Sequence, residues 1–274
     1  MRPFSYERPT DLAAAIALLS EHGPEARVLA GGTDLVIRLR DGTLQPALVV
    51  DVKGIPELAP RIDQRGDALV ISAGSTMTDV AEHPLVQRHF PALVEAARVV
   101  GSVQIRNRAT LAGNQCNASP AADTAPPLLV YGARLTIVGP AGEREVSLND
   151  FFVRSGVTTL TVGELVAAIS LPLPAQSVGS AFQRRTRRRG HDLASVTLAA
   201  SVDGQGRIRL AYGSLGPRPL LFVAESGEPP LDDWFAAARP SPTSMRAAPD
   251  YRLAMLRVLA QRALAAARER LAAA

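Results

Sequence analysis

A chain of 274 residues, 47% of them hydrophobic, is long enough to bury a sizeable core as one large domain or two modest ones. Its formal charge of +4 rests on 30 basic residues, all arginine except Lys53, and this mild excess argues against a saturated nucleic-acid-binding face. The single cysteine, Cys116, rules out an internal disulfide, and also an iron–sulfur cluster or cysteine-rich zinc site built from this chain alone.

In chain order, Thr10 or Asp11 caps a first helix over 10–23, which Gly23 closes. "ARVLA" reads as a short buried strand running into Gly31-Gly32. "TDLVIRLRDG" follows as a helix or helical turn, and "ALVVDV" (47–52) as a second strand, making a small βαβ-like unit. "ALVISAGS" (68–75) predicts a further strand, and 76–101 predicts helix broken at Pro84 and Pro91. Residues 102–139 begin and end like strands around a long polar, small-residue centre, and "GELVAAISLPLP" (163–174) predicts a strand stopped by proline. From about residue 175 the texture becomes an antiparallel meander, "SAFQRRTRRRGHDLASVTLAASVD", "GRIRLAYGSLG" and "RPLLFVA", with a turn at Asp203-Gly204. The last predicted element is a long helix over 251–273, with Leu253, Leu256, Ala260, Leu264 and Leu271 as a core-packing stripe. The opening residues lack the pattern of a cleaved leader and no apolar run is long enough to span a bilayer, so a cytoplasmic protein is expected.

Two stretches carry the chemical argument. "AGGT" (30–33) places paired glycines at a strand-to-helix junction, and "TLAGNQCNASPAAD" (110–123) holds small residues between apolar segments, where they bury little area. Small side chains let backbone lie against a flat or phosphorylated ligand, and unpaired N–H groups in such loops form anion-binding nests. Two such loops, each following a strand, could clasp one diphosphate, with Asp123 accepting hydrogen bonds from ligand hydroxyls. A tight turn is the commoner fate of Gly-Gly, and spacing alone leaves both readings open. No G-x-G-x-x-G or P-loop occurs, and no G-x-S-x-G elbow. His22, His83, His89 and His191 show no i,i+4 pairing, so no metal site is expected. "RRTRRRG" (184–190) reads first as a solvated turn and second as a docking patch for an acidic electron carrier or a cofactor phosphate. Its five arginines lack the interleaved aromatics that nucleic-acid binding uses.

Taken together, F-x-Y-x-x-P at the start, "AGGTDL", then T-x-x-GN-x-CNASPAAD-x-APPLL from Thr110, "GHDLASV", "GSLGPRP" and "RAAPDYRLAML" resemble the flavin-binding subunit of the molybdenum hydroxylases. That family includes xanthine dehydrogenase and the medium subunit of carbon-monoxide dehydrogenase, and the resemblance covers nearly the whole chain. It implies a first pyrophosphate loop at Val28, Leu29, Ala30, Gly31, Gly32, Thr33, Asp34 and Leu35, and a second at Thr110, Leu111, Ala112, Gly113 and Asn114. It assigns Asp123 to the ribityl chain, Val100 and Leu165 to flavin contacts, and Leu193 to the isoalloxazine face. Two departures stand out: Ala112-Gly113-Asn114 replaces the usual Gly-Gly-Asn, and arginine, at Arg184 or Arg185, replaces a lysine among the cofactor-binding residues the resemblance implies, which keeps the charge but not its geometry.

The resemblance implies an α+β fold. A two-subdomain FAD-binding domain of the vanillyl-alcohol-oxidase (PCMH) type would span 1–175, in subdomains of about 1–60 and 61–175 with FAD between them. A C-terminal domain, 176–274, would carry a small antiparallel sheet and helices and be shortened around 224–240. The implied function is electron transfer through non-covalent FAD in a heterotrimeric oxidoreductase, completed by a small iron–sulfur subunit and a large molybdenum-cofactor subunit. Electrons would pass on to NAD, a quinone or oxygen, and no side-chain acid or base is expected in this chain. Two rivals are a stand-alone flavin reductase, for which only Ser119 or Asp123 offers an acid, and a flavin-free binding module whose small-residue loops are merely turns.

Overall fold

In the computed structural model, which describes residues 2–188, 190 and 192–273, three larger sheets and a two-stranded ribbon are formed. The first is parallel, with strands β1 (Ser5–Glu7), β2 (Ala26–Leu29) and β3 (Leu48–Asp51) in the order β1-β3-β2. A helix over Leu12–His22 precedes β2; Asp11 caps it by accepting from Ala14 N, and Gly23 ends it at a φ of 49°. Leu48, Val49 and Val50 are all buried, as a central parallel strand covered on both faces requires.

The second sheet is antiparallel. It is built from β4 (Ile62–Arg65), β5 (Ala68–Ser72), β6 (Arg134–Gly139), β7 (Gly142–Ser147) and, after the small ribbon of β8 (Phe152–Arg154) and β9 (Val157–Thr158), β10 (Leu165–Pro172). The order is β4-β5-β10-β6-β7, so the latest strand sits in the middle. Its register aligns Ile169 with Ile71 and with Leu135, three buried residues on one face. Helices over Met77–Glu82, Pro84–His89 and Pro91–Arg98 pack into the same core, broken where the prolines predict.

The third sheet is a meander of β11 (Val178–Arg185), β12 (Val196–Asp203), β13 (Ile208–Gly213) and β14 (Leu220–Ala224). It is buried on both faces. Phe182, Ala199 and Ala211 join the core of the second sheet, while Ala181, Leu198, Ala200 and Leu210 face the helix over Pro249–Ala272. This explains why β12 is buried at every position from Val196 to Val202 rather than at alternate ones. The segment 224–240 contributes Trp234, stacked on Phe222 at 5.5 Å, and Phe222 in turn stacks on Tyr212 at 5.5 Å.

Gly179 fixes how closely the long helix lies on β11, since a Cβ there would fall 1.9 Å from the Ala267 carbonyl oxygen. Gly179→Ala is expected to push the helix away and cost about 2 kcal/mol or more, as overpacking does. Thermal and urea unfolding of the variant measure this.

Candidate functional site

The chain leaves β2 at Leu29 and turns through Ala30, Gly31, Gly32, Thr33 and Asp34 into a helix over Leu35–Arg40. Gly31 has no room for a side chain: a Cβ would lie 2.1 Å from the Arg108 carbonyl oxygen and 3.0 Å from Ala109 Cα. Gly32 sits at a φ of 77°, in the left-handed region that favours glycine. The turn is half-exposed, with Val28 and Asp34 at the surface and Leu29, Ala30, Thr33 and Leu35 partly covered. Among the described residues, the N–H groups of Gly31, Gly32, Thr33 and Asp34 meet no protein acceptor.

The second small-residue stretch departs from expectation. "SVQIR" forms a helix, Val103–Arg106, not a strand, because Ser102 caps it at Ile105 N and Gly101 turns the chain at a φ of 53°. The stretch therefore follows a helix and is itself largely helical over Leu111–Cys116. Thr110 pairs with Thr76 in an isolated bridge and caps that helix by accepting from Gly113 N at 3.0 Å. Leu111 N donates to the Ser75 carbonyl and Asn114 N to that of Thr110. These three N–H groups are thus spent within the protein, and the anion nest expected there is not formed by them. Gly113 is small because a Cβ would come within 2.8 Å of the Thr110 hydroxyl oxygen. Leu111 and Ala112 are buried, and Asn114 Oδ1 accepts from Thr124 Oγ1 at 2.7 Å, with Gln115 joining the same network.

Beyond it, one guanidinium gathers three segments. Arg184 Nη1 donates to the Val99 carbonyl at 2.9 Å and to Asp123 Oδ2 at 3.0 Å, and Nη2 donates to the Asp192 carbonyl at 2.5 Å. Val100, Asp123 and Leu193 are thereby brought to one place. Leu165 is buried at the start of β10 and Val100 packs against the same core, whereas Leu193 is 54% exposed. Strand alternation sends Arg185 the other way, where Nε donates to Tyr251 Oη at 2.7 Å. Arg187 pairs with Asp192 and donates to the Met245 carbonyl. Arg189 and His191 of the arginine-rich stretch lie outside the described residues. The supporting roles of Arg108, Thr124 and Arg252 carry no local sequence signal, although Arg252 falls in the "RAAPDYRLAML" motif.

Residues 2–174 match the family model described as the FAD binding domain in molybdopterin dehydrogenase. The chain belongs to that family. It is 37% identical over 221 residues to the xanthine dehydrogenase FAD-binding subunit of Escherichia coli O157:H7, covering 79% of this chain and 75% of that one. It is 31% identical over 280 residues to the carbon monoxide dehydrogenase medium chain of Hydrogenophaga pseudoflava, covering 96% of each. Among solved structures, carbon monoxide dehydrogenase from Hydrogenophaga pseudoflava superposes with a TM-score of 0.92 at 30% identity, over 98% of this chain and 99% of that one. FAD is accordingly the cofactor of this domain, and the chain is an FAD-binding subunit in the molybdenum hydroxylase family of oxidoreductases.

Whether the residues present suit such a cofactor can be tested on Asp123. Its side chain is 11% exposed, Oδ2 is taken by Arg184, and Oδ1 is buried with no hydrogen-bond partner. The buried hydroxyl of Thr197 lies near the carboxylate without a well-formed hydrogen bond. A buried carboxylate oxygen left open calls for a donor such as a ligand hydroxyl, so the site fits a polyhydroxylated group.

Burial pushes the Asp123 carboxyl up to about 6, against the opposing pull of Arg184. A raised acid contributes stability that is fully present below its unfolded value of 3.8 and is lost as pH rises through about 6. Asp123→Asn, which stays neutral, is expected to melt higher than the wild-type apoprotein at pH 8, by at most on the order of 3 kcal/mol. The difference should vanish toward pH 4; melting curves from pH 4 to 8 check it.

Proposed function

We propose that the turn from Val28 to Leu35 and the segment from Thr110 to Asn114 hold the diphosphate of FAD between them. Asp123 takes the ribityl hydroxyls, and Val100, Leu165 and Leu193 border the isoalloxazine. The observation that carries this reading is the unpartnered, buried Asp123 Oδ1, which lies beside Arg184 at the segment bearing Leu193. Two further features support it. Gly31 rests on Arg108, two residues before Thr110, so the two loops adjoin. Four successive N–H groups of the first turn face no protein acceptor among the described residues, as a phosphate seat requires.

FAD supplies the redox chemistry, accepting and releasing electrons at its ring system. The chain's own part is to seat it, exclude water from the ribityl side and hold the ring edge at a fixed place. Electrons would enter from the iron–sulfur clusters of a small subunit, fed by a large molybdenum-cofactor subunit where substrate is hydroxylated. They would leave to NAD, a quinone or oxygen. Cys116 alone cannot ligate a cluster, and burial pushes its thiol up to about 12, far from the thiolate that metal binding uses. Among the described residues no helix is long and apolar enough to cross a membrane; the cytoplasm is the location proposed. The division into an FAD domain to about residue 175 and a C-terminal domain beyond it follows the change from the second sheet to the third.

The purified chain is expected to show flavin absorbance, to release all its flavin on acid denaturation, and to pass electrons from NADH to an artificial dye. It should hydroxylate no purine, aldehyde or carbon monoxide unless its partner subunits are present. Native, matured protein without flavin would overturn the reading, and hydroxylation by the lone chain would refute the role as an electron-transfer subunit.

A further inference from the structure

We propose that Arg184 is a positioning residue, whose one guanidinium ties the Val99 turn, the Asp123 carboxylate and the Asp192–Leu193 segment into a rigid frame that receives the flavin ring. This rests on the reading that FAD is held here, and it goes beyond that reading by giving Arg184 a structural task, that of holding three oxygens of the protein in place around the site. Its side chain is 13% exposed, and both Nη atoms are engaged by protein oxygens.

The frame explains two features of the site. First, Arg184 occupies Oδ2 of Asp123 and so leaves Oδ1 as the oxygen open to a ligand. Second, Leu193 is exposed and little packed, yet the backbone on either side of it is anchored. Arg184 holds the Asp192 carbonyl, and Arg252 Nε holds that of Ser195 at 3.1 Å. Ser195 N donates to the Arg185 carbonyl at 2.7 Å, and Arg187 N donates to Asp192 Oδ2 at 3.0 Å, which closes the loop on itself. Hydrogen bonds, three of them charge-assisted, therefore anchor the segment on both sides of the exposed Leu193, together with the buried Ala194 and Ser195 that follow it. A lysine is a compact point charge and lacks the planar fork needed to span these three acceptors.

The test compares Arg184→Gln, Arg184→Lys and the outward-facing control Arg185→Gln in the full chain. Amide hydrogen exchange over 192–195 in flavin-stripped protein and the FAD dissociation constant are the readouts. Arg184→Gln is expected to speed exchange there and to weaken FAD, each about tenfold or more, as loss of charged hydrogen bonds does. Arg184→Lys should fold like the wild type and fall between, restoring part of the affinity but little of the protection. Arg185→Gln should stay within about twofold on FAD, as surface changes do. Exchange at 192–195 that is unchanged in both Arg184 variants would overturn the proposal, as would equal effects in the Arg185 control. Should the wild-type chain bind no FAD, the functional reading fails by itself, while the exchange comparison still decides the frame.

Discussion

Backbone meets backbone where Gly31 lies on Arg108 and Ala109, with no room for a methyl group between them. The contact joins the end of a parallel strand to the run-up of the helix at Thr110, and so couples the first sheet to the second. Its other side is set by Met77 N on the Ala109 carbonyl and Leu111 N on that of Ser75. The two small-residue segments are thus registered against each other by main-chain geometry, which side-chain changes elsewhere leave alone. Close approach of this kind is open only to glycine, and here it is demanded by the protein itself before any ligand is considered.

The third sheet extends the same logic. Because it is buried on both faces, it can carry polar groups into the centre of the molecule, where several find partners in the neighbouring elements. Tyr131 shares a hydrogen bond with Ser180, and Glu95 accepts from Phe182 N and pairs with Arg270. Ser214, at a φ of 67°, donates its N–H to the Pro120 carbonyl at 2.6 Å, which holds the chain just before Asp123. A non-glycine residue in that region stores strain, and the surrounding contacts keep it there. Arg184 is the last residue but one of β11, so its reach toward Asp123 depends on this docking.

Much of this was legible in the sequence. The helix breaks at Pro84 and Pro91, the βαβ unit around Gly31-Gly32, the meander and the long last helix all follow from periodicity and punctuation, and the ordered motifs pointed to the FAD-binding family. What failed is instructive. "SVQIR" carries β-branched residues but has no strand to pair with, and Ser102 and Gly101 set it into a helical turn. The small residues of 111–116 read as a loop with free N–H groups, yet they form a helix whose Leu111, Gly113 and Asn114 N–H groups are bonded within the protein. Nor could sequence alone decide between Arg184 and Arg185. One step along a strand reverses the face, and the choice waits on which face of β11 meets Asp123.

That choice bears on how the site balances its charges. An ionised carboxylate moved out of water costs far more than a hydrogen bond returns, unless a countercharge and further donors surround it. Arg184 supplies the countercharge at Oδ2 but leaves Oδ1 open, so the protein alone does not complete the shell around Asp123. Burial then prevails over the arginine, and the carboxyl sits well above its ordinary value. A hydroxyl donated to Oδ1 would favour the ionised form and draw that value back down. With a ligand hydroxyl at Oδ1, as proposed above, binding and ionisation of Asp123 would be linked: occupancy would favour the charged carboxylate, and the charged carboxylate would favour occupancy. On the proposed reading the same linkage would favour a hydroxylated ligand, because an apolar group at that point would leave Oδ1 buried and unpaired.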